Sequence, residues 1–167
     1  ASVMHNAVAC SLWGRSTSES VTLLVVPMFH ITGMVGVMHA AVYGGATMVL
    51  MPRWERELAA RLIARWRVTS FPNIPTMVID LLASPNVASF DLSSLTTISG
   101  GGAAMPQAVA QRLQDTYGLR YAEGYGLTET AAPSHQNPIE HPKQQCLGIP
   151  FIGIDARVVD PETLHEV

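Results

Sequence analysis

Short apolar runs alternate along the chain with stretches of helical periodicity. Val21 to Val26 is a β-rich run bounded by Ser20 and Pro27, and it predicts a strand buried in a parallel sheet. Thr47 to Leu50, closed by Pro52, predicts a second strand; Val68 to Phe71 and Thr96 to Ser99 predict two more, and Gly118 to Glu123 leads the chain back into the sheet. Between them lie helices. Met4 to Trp13 precedes a loop over 14–20, and Met34 to Tyr43 is stopped by Gly44-Gly45. Trp54 to Arg67 places Leu58, Leu62 and Trp66 at i, i+4 and i+8, leaving Arg56, Arg61, Arg65 and Arg67 for solvated faces. Thr76 to Ala83 is apolar nearly all round apart from Asp80, which predicts a buried helix. The last predicted helix runs from Pro106 to Tyr117, with Val109, Leu113 and Tyr117 inward and Gly118 at the C′ position. Strands alternating with helices predict an α/β fold, a mostly parallel sheet flanked by helices.

Composition narrows the class. At 167 residues the chain suits one core that buries roughly 70% of its unfolded surface. A hydrophobic content of 48% against 14% charged residues is core-rich, so some apolar surface is expected to meet a further segment or partner. The net charge of −3 supplies no basic field for nucleic acid. Cys10 and Cys146 stand alone, which fits a reducing compartment rather than a disulfide framework or a zinc site. The six histidines fall in no metal-ligand spacing, no apolar run reaches the roughly 18–20 residues of a membrane span, and no secretory signal is visible. A cytoplasmic enzyme piece is the expectation.

Chemistry concentrates in Glu123-Gly124-Tyr125-Gly126-Leu127-Thr128-Glu129-Thr130. The glycines permit tight turns and close backbone approach, the Thr128 hydroxyl can donate to a phosphate oxygen, and the Glu129 carboxylate is the hard ligand that Mg²⁺ prefers. The plainer reading makes Tyr125 the end of a buried strand and Thr128 the N-cap of a short helix. Gly100-Gly101-Gly102-Ala103 stands between a predicted strand and a helix, where anions are attracted, although the pattern is neither GxGxxG nor a P-loop. His30 follows a predicted strand, at the carboxyl edge where ligands of open α/β sheets bind.

Taken together and in this order, Pro27-Met28-Phe29-His30-Ile31-Thr32-Gly33-Met34, the glycine run at 100–103 and Tyr125-Gly126-Leu127-Thr128-Glu129-Thr130 resemble the adenylate-forming superfamily. Its members include acyl-CoA synthetases, firefly-type luciferases and peptide-synthetase adenylation domains. The resemblance runs from about Val21 to Asp160. It implies that His30 lies beside the reacting carboxylate as a gate, and that Gly101, Gly102 and Ala103 pack their backbone against adenine. It also implies that Glu123, Gly124 and Tyr125 border adenine and ribose within the Glu123–Thr128 nucleotide stretch that includes Gly126 and Leu127. Thr128 then touches the α-phosphate and Glu129 holds Mg²⁺. Ala104 stands where the family commonly has proline, and the third glycine lets the register sit on either of two adjacent residues. Thr76 and Met77 fall near the family's acyl pocket by the resemblance, while core packing is the stronger reading for Met77.

The resemblance implies ATP/AMP, Mg²⁺ and coenzyme A as ligands, with a carboxylic acid, a medium or long fatty acid on the apolar residues around 31–42 and 74–82, as substrate. Residues 1–154 are expected to be a central, incomplete α/β subdomain of the AMP-binding domain, and 155–167 the start of a small β-subdomain. The family's phosphate-gripping loop is expected just ahead of residue 1 and its lysine-bearing domain beyond 167, so this piece is expected to turn nothing over alone. Ala131 to Cys146, rich in Pro, His, Gln and Asn, reads as a long loop over the site with His135 and His141 in solvent. An amino-acid-activating domain and a non-catalytic binding module are the two other readings. The first normally needs an acidic residue for the substrate ammonium, and the run from Ile31 to Val37 offers none.

Overall fold

A computed structural model describes residues 1–167. Helix α1 (Ser2–Trp13) leads into strand β1 (Val21–Leu24), and a π-helical segment (Thr32–His39) continues directly into α2 (Ala40–Gly44). Strand β2 (Thr47–Leu50), α3 (Arg56–Trp66), β3 (Ser70–Asn73), α4 (Pro75–Leu82), β4 (Thr97–Gly100) and α5 (Gln107–Tyr117) follow in alternation. The chain then forms β5 (Tyr121–Leu127), β6 (Ala132–Gln136) and the short β7 (Ile149–Pro150). One seven-stranded sheet results, in the order β2-β1-β3-β4-β5-β6-β7. It is parallel from β2 to β5 and antiparallel from β5 to β7.

Strand side chains alternate between the two faces of this sheet. Leu23, Phe71, Ile98 and Tyr121 point to one face and pack with Ala59, Ala60 and Ile63 of α3, Val78, Leu81 and Leu82 of α4, and Leu113 of α5. This is the main core, 20 buried residues in one cluster. α1, the π-helical segment and α2 cover the other face, with Ala7, Val35 and Ala132 as a small second cluster.

Caps mark the helix ends as the chain chemistry dictates. Glu55 caps α3, accepting from the N–H groups of Glu57 and Leu58, and Gly118 ends α5 at φ 69°, a conformation open to glycine at little cost. Gly33 sits where a Cβ would run into the Pro27 and Val26 carbonyls, so the π-helical segment can lie against the chain leaving β1 only with glycine there.

Three expectations change. The inward stripe of α3 is Ala59, Ala60 and Ile63 rather than Leu58, Leu62 and Trp66: Leu62 is half-buried, and Leu58 and Trp66 are exposed. Tyr125 does not end its strand, because β5 runs on to Leu127. Ala131 to Cys146 is not all loop either, since Ala132–Gln136 pairs with β5 and half-buries His135, whose ring meets Tyr125 edge-on at 6.1 Å.

Candidate functional site

The β5–β6 hairpin carries the densest motif. Its register slips between Tyr125 and Gly126, and its tip turns through Thr128, Glu129 and Thr130. Ala131 and Ala132 take left-handed φ of 58° and 94°, which non-glycine residues adopt only under constraint. Two devices supply that constraint. Thr130 Oγ1 accepts from the Leu127 N–H (2.9 Å) and lies within reach of the Leu127 and Ala132 carbonyls (3.0 and 2.8 Å). From α1, the buried Asn6 donates through Nδ2 to the carbonyls of Thr130 (2.6 Å) and Ala131 (2.8 Å). Thr128 and Glu129 are exposed on this braced tip.

The glycine run lies across from the hairpin. A Cβ on Gly101 would strike the Gly124 carbonyl, so the β4–α5 loop and β5 approach as closely as their backbones allow. Gly102 holds φ 82° with open space around its α-carbon. His30 leaves β1 on the adjacent side, and the Thr32 N–H donates to its Nδ1 (3.2 Å). A neutral ring bonded in this way carries its proton on Nε2, which leaves Nε2–H as the free donor.

These segments surround one cavity of about 620 Å³. His30, Gly101, Gly102 and the run Gly124, Tyr125, Gly126, Leu127, Thr128 and Glu129 all line it. Ala103 and Glu123 do not line it: Ala103 is exposed beside it, and Glu123 points to the opposite face of β5, 4% exposed. Burial pushes the Glu123 carboxyl above its usual range, and backbone N–H groups of Gln145 and Met105 hold it back in part. Thr76 and Met77 lie on the far side of the sheet in α4, where Met77 belongs to the main core.

From this mouth the cavity passes under the sheet. Its floor is the second sheet face, where Thr22, Ser70 and Thr97 form one row across three strands and Pro72 and Ser99 a second. The facing wall is Gly36 and Val37 of the π-helical segment and Ala40 and Ala41 of α2. The inner end is formed by Cys10, Ser11 and Gly14 of α1 and its exit, with Ser16. Burial pushes the Cys10 thiol up to about 12, so it stays protonated at neutral pH.

Sequence reasoning missed Asn6, Asn137 and this hydroxyl-lined floor, and gave Thr130, inside the motif, no role of its own. Asn137 is 1% exposed and joins three segments, donating through Nδ2 to the Glu123 carbonyl (3.1 Å) and the Cys146 carbonyl while its Oδ1 accepts from the Lys143 N–H (2.9 Å). Trp13 Nε1 donates to the Asn137 carbonyl (3.0 Å). A period-2 reading of the strands would have exposed the hydroxyl rows, because Thr22, Ser70, Thr97 and Ser99 alternate with apolar residues. No group of three metal-ligating side chains gathers in the structure, so Glu129 is a solitary carboxylate at the mouth. No helix is long and apolar enough to cross a membrane.

Comparisons with known proteins give the chain's family and fold. A long-chain-fatty-acid–CoA ligase of Bacillus subtilis (strain 168) is 32% identical over 164 residues, covering 96% of this chain and 29% of the relative. The 4-coumarate–CoA ligase-like 5 of Oryza sativa subsp. japonica is 35% identical over 147 residues, 86% of this chain and 27% of its own length. The crystal structure of ATP-bound MatB from Rhodopseudomonas palustris superposes with a TM-score of 0.92 at 24% identity, covering 99% of this chain and 33% of that one, a likeness of fold. The chain thus spans about a third or less of the length of each of these three proteins. The model of the AMP-binding enzyme family matches residues 1–167, and the chain belongs to that family.

Proposed function

We propose that the chain is a central part of an AMP-forming acid–CoA ligase, which activates a carboxylic acid with ATP and passes the acyl group to coenzyme A. The observation that carries this reading is the single cavity on which His30, the Gly101–Gly102 turn and the Thr128–Glu129 hairpin tip converge at the carboxyl edge of the parallel strands. CoA-ligase relatives that match 96% and 86% of the chain support it. A carboxylate oxygen attacks the α-phosphorus of ATP, pyrophosphate leaves, and the acyl-adenylate forms; the thiolate of coenzyme A then attacks the acyl carbon and AMP leaves.

The residues contribute position and charge. The backbone of Gly101 and Gly102 with Gly124 and Tyr125 receives the base and sugar, the Thr128 hydroxyl donates to the α-phosphate, and His30 offers Nε2–H toward the carboxylate. Ala103 and Glu123 belong to the same reading as supports of these turns. A lone exposed carboxylate fits a Mg²⁺ ion held mostly by nucleotide phosphates, with Glu129 as its protein ligand. Bound there, the ion neutralises charge developing on the phosphates.

The small residues facing each other across the cavity suit a medium or long fatty acyl chain, in a cytoplasmic enzyme. Residues 1–154 are then the central α/β subdomain, and 155–167, exposed and joined by one bridge between Val159 and Glu166, the start of a β-subdomain. The piece alone is expected to be inactive. The test is carboxylate-dependent pyrophosphate release by the full-length protein over fatty, aromatic and amino acids, beside Glu129→Gln. Release with fatty acids, reduced about 100-fold or more in the variant, is the expected result. Silence across the panel with ATP still bound would leave a non-catalytic module instead.

A further inference from the structure

The inner end of the cavity is polar in a way its apolar walls do not require. Ser11 is 2% exposed and lines the cavity, yet it takes part in none of the protein's side-chain hydrogen bonds. Ser16 Oγ is shielded and has no partner. The two hydroxyls sit side by side over Gly44 of α2: a Cβ there would lie 2.5 Å from Ser16 Oγ and 2.9 Å from Ser11 Oγ. Their segments are tied, because the Ser16 N–H donates to the Ser11 carbonyl (2.9 Å), so the pair is held rather than loose. A shielded hydroxyl without a partner, as Ser16 Oγ is, is costly, and Ser11 beside it lines the cavity with its hydroxyl uncommitted.

We propose that this inner end selects carboxylic acids carrying a hydrogen-bonding oxygen, as hydroxyl or carbonyl, at the end remote from the carboxylate, with Ser11 and Ser16 as the residues that read it. The inference rests on the ligase reading, which places the carboxylate at the mouth beside His30. Along the sheet the cavity runs from the level of Gly101 back to Thr97, four residues or roughly 13 Å, and continues to α1. The body of the substrate passes between the Thr22, Ser70 and Thr97 row and Gly36, Val37 and Ala40, where a chain of slender cross-section fits. Its far end meets the two serines. A hydroxyl can give to one and accept from the other, and a carbonyl can accept from both. A methyl terminus leaves both unsatisfied, which penalises the unsubstituted acid.

The experiment measures kcat/KM for pyrophosphate release by the full-length protein, using matched pairs of acids with a hydroxyl, oxo or methyl terminus over a series of chain lengths. At the best length the oxygenated acid is expected to be favoured about 10-fold or more. The Ser11→Ala/Ser16→Ala double variant should reverse the order, making the methyl-terminated acid the better substrate. Gly44→Ala places a methyl 2.5 Å from Ser16 Oγ and 2.9 Å from Ser11 Oγ, which forces the pair apart and should shift the optimum to shorter acids. Equal kcat/KM within every pair, or a double variant that weakens both members alike, overturns the inference and leaves the ligase reading standing. Absence of pyrophosphate release with every acid overturns the ligase reading, and the inference falls with it.

Discussion

Asn6 is the residue on which the hairpin tip depends most, and removing it has a calculable cost. The side chain is 2% exposed and donates to the Thr130 and Ala131 carbonyls at 2.6 and 2.8 Å. In Asn6→Ala both bonds are lost and two carbonyls lose their partner at once. Each orphaned buried group costs about 1–3 kcal/mol, so the pair costs on the order of 2–4 kcal/mol after partial relaxation. In a unit of this size that is a fall of roughly 5–15 °C in melting temperature. The loss should be local first, because the bonds hold Ala131 and Ala132 at positive φ and no other side-chain hydrogen bond from outside the hairpin reaches that turn. Hydrogen exchange therefore reads it best. The amides of Leu127, Thr130 and Ala131, which bond within the tip, are expected to lose protection while those of β3 and β4 keep theirs. Asn6→Leu, which keeps the branching at Cγ without the donors, separates lost hydrogen bonds from a lost side chain and should behave like the alanine variant. Unchanged protection at the tip together with a stability loss under about 0.5 kcal/mol would refute the argument.

Two further outcomes follow from buried titratable groups. Burial holds the folded-state pKa of Glu123 above its ordinary 4.5, so the folded chain binds more protons than the unfolded chain once pH exceeds that value. Its contribution therefore turns increasingly unfavourable as pH rises from 4.5 to the folded-state value, and then levels off. Glu123→Gln should gain stability relative to the parent at pH 7–8 and lose that advantage near pH 4 in paired denaturant titrations; a difference independent of pH would contradict this. Cys10, with its thiol pushed up to about 12 by burial, should resist iodoacetamide at pH 8 in the native protein and react once unfolded, followed by peptide mass spectrometry. Native labelling of Cys10 at the rate of a free thiol would contradict its burial.

The alternation of strands and helices was legible because the parallel strands are short runs closed by Pro, Gly or Ser, and α2 and α5 stop at Gly45 and Gly118, both at positive φ. The inward stripe of α3 was misread because size competes with polarity. Ala59 and Ala60 let the helix lie close to the sheet, whereas Leu58 and Trp66 fall at the margin, where Arg65 lies over the Trp66 ring at 5.3 Å. Strand β6 was missed because Ala132-Pro133-Ser134-His135-Gln136 has no β-branched residue and gains its order from the partner strand. The motif glycines and His30 could be found from neighbours in sequence. Asn6 could not, since its partners lie 124 and 125 residues away. The paired serines escaped for a related reason: Ser11 and Ser16 become neighbours of Gly44 only after α1 packs on α2.

The change of strand direction explains why the site stands where it does. β4 ends at Gly100, paired with Glu123, but β5 continues four residues further to Leu127 with β6 as its remaining partner. The overhang lifts Gly124 to Leu127 above the carboxyl edge of the parallel strands and delivers Thr128 and Glu129 over the cavity mouth. An overhanging hairpin needs an anchor, and α1 supplies it through Asn6. The same helix, five residues on, brings Ser11 to the inner end of the cavity, a rise of about 7.5 Å along its axis. One helix thus joins the residues proposed to hold the nucleotide to those proposed to read the far end of the acid. Substitutions on α1 should therefore alter nucleotide binding and acid preference together, whereas substitutions on α3 or α5, on the other face of the sheet, should act through stability alone.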